Sequence, residues 1–374
     1  MRRILSVLTA VLMMVCFVPQ ASAEPAAKAY CVMSAGANES ISEYNADELT
    51  GVAGLSKLPA VLTLCRAVDR GLLQLDAEIT VGKRASEIGG PSAYLKSGEK
   101  IQAEPLLQAS VMISAGDAIC ALLDHAFGSE DVSLQNINLT LKEIGVERQL
   151  SRALGTNESF ACRELAAMGI AACGSETFLK YCSVKYAVLH HADGRETELA
   201  NANKLLSTLP GCIGLMTGSS KPDGYCGVFA CKRGDSTFIC TMTGAPNSKT
   251  RFEVAAKLFE EAFANYAVFD LASTDEPILE RYPVENGDAE TVDLYVKENV
   301  SLLLKKSDGE PEREWMLPDT LKAPLDPDLA AGSVRFTDRN GTVLYEIAVY
   351  PGRAVSATGF RDILKRILSA YRNE

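Results

Sequence analysis

From Ala29 to Ser34 the chain is apolar; it breaks at Gly36-Ala37-Asn38 and resumes from Ser40 to Tyr44, which predicts a hairpin. Leu58, Val61, Leu62, Cys65 and Val68 then recur at helical spacing, predicting a buried helix from about Pro59 to Arg70 that stops before Gly71. Leu106 to His125 is another, almost wholly apolar helical pattern, interrupted at Ser114-Ala115-Gly116. A helix that is apolar all round needs cover on every side. Tyr225–Cys231 and Thr237–Thr243 are β-rich runs on either side of a turn containing Gly234-Asp235, a second hairpin. Helical periodicity returns from Phe252 to Tyr266. Helices bracketing antiparallel hairpins predict an α+β domain whose sheet is covered by helices, spanning 24–270.

The pattern changes near Leu271. Asp275, Glu276, Pro277 and Pro283 mark a connector over 271–283, followed by a small all-β domain over 284–354. Within it Thr291–Val296 and Val300–Lys305 alternate as strands, and Ser333–Thr337 and Val343–Val349 flank Asn340-Gly341, the pair favoured in a type I′ turn. In the last stretch, 358–374, Phe360, Ile363, Leu364, Ile367, Leu368 and Tyr371 form one stripe while Arg361, Lys365, Arg366 and Arg372 crowd the other faces. That is either a helix docked on its own protein or an amphipathic helix lying on a membrane surface, and the terminal position after a Gly-containing break favours the membrane.

The first residues are read separately. Arg2 and Arg3 precede an apolar run from Ile4 to Val18, and Ala21-Ser22-Ala23 supplies small residues for cleavage, so 1–23 reads as a signal peptide and the chain as exported. With 37 basic against 48 acidic residues the net charge is −11, which argues against nucleic acid as a partner. Beyond the signal lie Cys31, Cys65, Cys120, Cys162, Cys173, Cys182, Cys212, Cys226, Cys231 and Cys240, with no C-x-x-C among them. An even count in an exported chain invites disulfides, but several fall on apolar faces, where free cysteine acts as a small buried hydrophobe; the second reading is preferred. His125 and the pair His190-His191 show no ligand spacing with cysteine, so no metal or other cofactor is expected.

Several segments, in this order, resemble the serine D-alanyl-D-alanine carboxypeptidases, the low-molecular-weight penicillin-binding proteins, over nearly all of the exported chain. They are Ala29–Met33 with Tyr44-Asn45-Ala46-Asp47, Gly89–Glu99, Asn203–Leu206, Gly214–Gly218, Gly224-Tyr225-Cys226, Gly244-Ala245-Pro246 and Leu321–Leu325. The resemblance implies a β-lactamase/transpeptidase-like domain followed by the small β domain and the tail helix. It also implies three catalytic motifs, S-x-x-K, S-x-N and K-T-G, in which the serine attacks the carbonyl between two D-alanines after activation by the lysine. An arginine after K-T-G resembles a clamp for the substrate carboxylate.

Carried onto this sequence, most of those positions are altered. The first window is Gly54-Leu55-Ser56-Lys57, which keeps Lys57 and has Gly54 at the nucleophile position. The second is Ser114-Ala115-Gly116, with Gly116 in place of asparagine; the third is Met216-Thr217-Gly218, with Met216 in place of lysine. The clamp position falls on Thr237. Ser56 does not stand in for the nucleophile, because its own lysine position is Pro59. Three readings follow: a catalytically defective relative that binds peptidoglycan stem peptides or an envelope protein partner, an active carboxypeptidase resting on fold-level inheritance, and an inert structural paralogue. The altered site chemistry favours the first.

Overall fold

The structure is a computed structural model that describes residues 26–359; the expected signal peptide and the expected tail helix, from residue 360 onward, lie outside the described residues. In chain order, β1 (Ala29–Ser34) and β2 (Ser40–Tyr44) form the first hairpin. A 3₁₀ turn over Ala53–Lys57 runs into α1 (Leu58–Asp69). Next come α2 (Ala103–Ile113) and α3 (Gly116–Phe127), α4 (Cys162–Cys173), and a small hairpin of β3 (Tyr186–His190) and β4 (Glu196–Ala200). Three long strands follow, β5 (Cys212–Ser220), β6 (Gly224–Arg233) and β7 (Ser236–Ala245), and then α5 (Ser248–Asn265).

The first domain is built on one antiparallel sheet in the order β2-β1-β7-β6-β5. The terminal strand β1 pairs with the late strand β7, Val32 opposite Cys240, so the sheet closes around both ends of the domain sequence. Alternation along the strands feeds two cores. On one face Cys31, Val228 and Ile239 pack under α4, α1 and α2. On the other, Phe229, Phe238 and Cys240 pack under α5 with Phe252, Phe259 and Phe263. Gly169 of α4 is required there, since a Cβ would stand 2.8 Å from Ile239 Cγ2 and 2.9 Å from Val228 Cγ1.

Apart from a 3₁₀ turn at Lys306–Asp308, the elements of the remaining described residues are strands: β8 (Tyr266–Ala272), β9 (Leu279–Glu285), β10 (Thr291–Tyr295), β11 (Val300–Lys305), β12 (Glu312–Met316), β13 (Leu321–Lys322), β14 (Gly332–Thr337) and β15 (Val343–Pro351). β8 pairs with β11, and the others form a six-stranded sheet in the order β12-β14-β15-β10-β9-β13 around Leu294, Val334, Phe336 and Val349.

Two expectations are revised. The interval expected as a connector, 271–283, carries the end of β8 and most of β9. The alternation Leu279, Tyr282, Val284 is broken by Arg281, which has φ +53° and donates its amide to Asp293, so the strand was masked by an irregular register. The turn at Asn340-Gly341 is not type I′, which needs positive φ at both central residues. Only Gly341 (φ +79°) is left-handed, and Asp338 Oδ1 accepts from the amides of Asn340 and Thr342 to hold the wider turn. Among the described residues ten cysteines are unbridged, and all but Cys173 and Cys212 are buried.

Candidate active site

The 3₁₀ turn that opens α1, the α2–α3 junction and the edge strand β5 meet at a cavity of about 210 Å³. Its lining includes Gly54, Ser114, Thr217, Gly218, Ser219 and Arg251. Residues from the three sequence windows, separated by 60 and by 100 positions or so, are therefore brought to one place by the packing of β5 against the 3₁₀ turn.

The turn carrying Gly54 is fixed from below. Ala53, at φ +50°, donates its amide to Asp223 Oδ2 at 3.1 Å, and Gly51 leaves room for that carboxylate, since a Cβ there would lie 2.0 Å from Asp223 Oδ1. Above Gly54 there is space: a Cβ would meet only Gly218 Cα, at 3.6 Å. The reverse is not true. A Cβ on Gly218 would stand 2.7 Å from the Gly54 nitrogen and 2.8 Å from that of Leu55. Gly218 is thus the residue that lets strand and turn approach, and a side chain at 54 is sterically free.

Lys57 lies one turn on, buried, and its ammonium donates to the backbone carbonyl of Ser114 at 2.9 Å. Burial lowers its pKa, and the charge of Asp117 works the other way. Ser114 ends α2 in the left-handed region (φ 55°, ψ 39°), a conformation that non-glycine residues occupy at a cost and that recurs at functional sites. Gly116 begins α3, its amide bonded to Pro91 O at 2.8 Å. A Cβ on Gly116 would lie 2.6 Å from Ile88 Cγ2 and 3.2 Å from Lys57 Nζ. The space next to the asparagine position is therefore filled by an isoleucine methyl.

Asp117, which sequence reading did not single out, organises this corner. Its buried carboxylate accepts from Ser92 Oγ (2.7 Å) and from the amides of Ala93 (2.9 Å), Leu95 (3.1 Å) and Ala118 (2.9 Å). It thereby ties the 91–95 loop, whose Pro91 lines the cavity, to the start of α3. The far side of that loop is held by Glu99, which meets His191 Nδ1 at 2.6 Å and Arg195 at 3.1 Å.

Four expected site residues do not line the cavity: Lys57 and Gly116, which lie behind Ser114, and Met216 and Thr237. Met216 is sealed in the core with Leu215 and with Val228, its partner across the β5–β6 ladder, while Thr217 lines the cavity. Thr237 sits at the other end of the sheet. It pairs with Lys232 beside the β6–β7 turn, whereas Thr217 pairs with Gly227, five residues along β6 and about 17 Å away at ~3.4 Å per residue. The assignment of the clamp position to Thr237 is corrected accordingly.

An arginine is present at the cavity all the same. Arg251, in the first turn of α5, donates Nη1 to Gly218 O at 3.0 Å and Cys226 O at 2.8 Å. It is 4% exposed, its guanidinium lies over the rings of Phe252 (4.5 Å) and Tyr225 (5.5 Å), and its Nε is buried without a partner. No carboxylate among the described residues pairs with it within 4 Å. Burial pulls its pKa down to about 10, so it remains a cation at neutral pH. The signal was present in the sequence: Arg251 shares a buried stripe with Ala255, Leu258 and Ala262, and a charge on an apolar stripe calls for a reason.

Among the described residues no cluster of three or more His, Cys, Asp or Glu side chains is placed to hold a metal, and no helix is long and apolar enough to cross a membrane.

The comparisons with known proteins agree with this geometry. The family described as D-alanyl-D-alanine carboxypeptidase matches residues 17–247, and the one described as penicillin-binding protein 5, C-terminal domain, matches 266–357. D-alanyl-D-alanine carboxypeptidase DacF of Bacillus subtilis is 24% identical over 99% of this chain and 99% of its own length. DacC of Escherichia coli is 26% identical over 63% of this chain and 61% of its own. Among solved structures, penicillin-binding protein 5 of Haemophilus influenzae superposes with a TM-score of 0.75 at 20% identity, covering 89% of this chain and 98% of that one. Penicillin-binding protein D2 of Listeria monocytogenes, in its ampicillin-bound form, gives 0.56 at 25% identity over 65% of this chain. By sequence and by architecture alike, this chain belongs to the D-alanyl-D-alanine carboxypeptidase family and carries that family's C-terminal β domain.

Proposed function

We propose that this chain is a non-hydrolytic member of the family, one that holds the D-alanine-ended stem peptide of peptidoglycan without cleaving it. The observation that carries this reading is Gly54 standing, with open space above it, where the resemblance calls for the nucleophilic serine. A glycine has no oxygen with which to form an acyl bond; in one serine protease, losing the nucleophile costs about 10⁶ in turnover. Binding is a separate matter. Arg251 presents an unpaired buried cation to the same cavity, and a terminal carboxylate is the group that would satisfy it. The expected signal at 1–23 and tail helix at 358–374 support a place outside the cytoplasmic membrane, peripheral on its surface; an envelope protein is the other partner this site could serve.

The second reading is an active carboxypeptidase. It is favoured by the names of the relatives and by the retention of Lys57, Ser114, Thr217 and Gly218 around one cavity. One pair of measurements separates the two. Mass spectrometry after exposure to a β-lactam is expected to show no added mass, and calorimetry is expected to show binding of a peptide ending in D-Ala-D-Ala. Arg251→Met should weaken that binding roughly tenfold to a hundredfold, while Thr237→Arg should leave it unchanged. A covalent β-lactam adduct, or D-alanine released from the peptide, establishes the active enzyme; no binding at all leaves the inert paralogue.

A further inference from the structure

Outside the cavity, the start of β5 brings two thiols face to face. Cys212 and Cys231 are direct partners across the β5–β6 ladder. The amide of Cys212 turns back to Leu209 O at 3.2 Å, and the neighbouring bond runs from Lys232 N to Gly211 O at 2.8 Å. The register shifts between Ala230 and Cys231, so the pair sits beside a β-bulge, and directly opposed residues of an antiparallel ladder have Cα atoms about 4.5–5.5 Å apart. A disulfide accepts Cα separations of about 4.4–6.8 Å.

Both side chains are on the α5 face of the sheet: Cys231 within that core and Cys212 packed against it. Cys231 Sγ lies over the β5 backbone, 3.5 Å from Pro210 O and 3.3 Å from where a Cβ on Gly211 would be. Cys231 is fully buried and Cys212 is part-buried, so Cys212 is the less enclosed residue of the pair.

We propose that Cys212 and Cys231 are a redox site, closing as a cross-strand disulfide by exchange with an external disulfide. The Cys212 thiolate attacks the external S–S bond, giving a mixed disulfide and one released thiolate. Cys231 then attacks the Cys212 sulfur, forming the Cys212–Cys231 bond and releasing the second thiolate. Two electrons pass to the external disulfide, and the two protein thiol protons end on the released thiols. Burial pushes the Cys231 thiol up to about 11, so the closing step is slow near neutral pH and quickens as pH rises. The bond would latch the first residue of edge strand β5 to β6, on the same strand that brings Thr217 and Gly218 to the cavity. Cys182, whose Sγ meets Ile213 O at 3.2 Å, is the nearest competitor.

The test uses the full, reduced chain incubated with oxidised glutathione between pH 7 and 9, then alkylated and mapped by mass spectrometry without reduction. The expected result is a peptide linking 212 to 231, a mass lower by two hydrogens, and amide exchange over 212–220 slowed by about a hundredfold, the closure of a short loop. Cys231→Ser should stop at a glutathione adduct on Cys212. Free thiols throughout, a wild-type chain halted at the Cys212 adduct, or a link to Cys182 or any other cysteine overturns the proposal. The wild-type map decides by itself, whatever the folding of the variant.

Discussion

The ammonium of Lys57 donates to the backbone carbonyl of Ser114 over 2.9 Å, binding the opening of α1 to the last residue of α2. Lys57 is a brace between two helices. Gly54 offers it no hydroxyl to activate, and its charge is held in a buried place.

That burial has a measurable consequence. The folded-state pKa of Lys57 lies below its ordinary value of 10.5, so in the window between the two the unfolded chain binds the proton more tightly, and folding is favoured as pH rises. The contribution is unfavourable below the folded pKa and fades on passing through it toward 10.5. The unfolding free energy of wild type minus that of Lys57→Met, measured by denaturant titration from pH 7.5 to 10, should shift in favour of wild type as pH increases. A constant difference would mean that the lysine is not strained by burial.

Gly54 and Gly218 face each other, and only one of them needs to be glycine. Gly54→Ser, with nothing nearer than 3.6 Å, should change stability by less than about 1 kcal/mol. Gly218→Ala pushes a methyl to 2.7 Å from the Gly54 nitrogen and should cost about 1–3 kcal/mol or more. Paired thermal melts check the asymmetry, and equal shifts would refute the close packing of β5 on the turn.

Gly116→Asn meets Ile88 Cγ2 at 2.6 Å and should cost about 1–3 kcal/mol. Combining it with Ile88→Ala should recover part of that loss, giving a coupling of at least about 1 kcal/mol in a double-mutant cycle. Strict additivity would place Ile88 elsewhere.

Asp117→Ala strips four donors of their acceptor in a buried corner. A loss of about 3–5 kcal/mol is expected, together with faster amide exchange at Ala93 and Leu95. If exchange rises uniformly over the domain instead, the loop is not held by this carboxylate in particular.

Much of the scaffold was legible from periodicity. The β1–β2 hairpin, α1, the split of one long apolar run into α2 and α3 at Ser114–Gly116, and the β6–β7 hairpin all follow from spacing and turn residues, because each buries one regular face. What spacing does not carry is which strand end lies beside which helix. The resemblance puts the clamp position on Thr237, but the sheet runs it away from the cavity, and the cation arrives from α5. Asp117 was overlooked because an acidic residue at the first turn of a helix is ordinary. Three of its four bonds depend on a loop 22 to 25 residues earlier folding back on it.

Ile88 ties the choice of residue at one position to that at another. Its Cγ2 would stand 2.6 Å from a Cβ on Gly116, so a larger residue fits at 116 only if position 88 shrinks as well, and single substitutions and paired ones explore different versions of this corner.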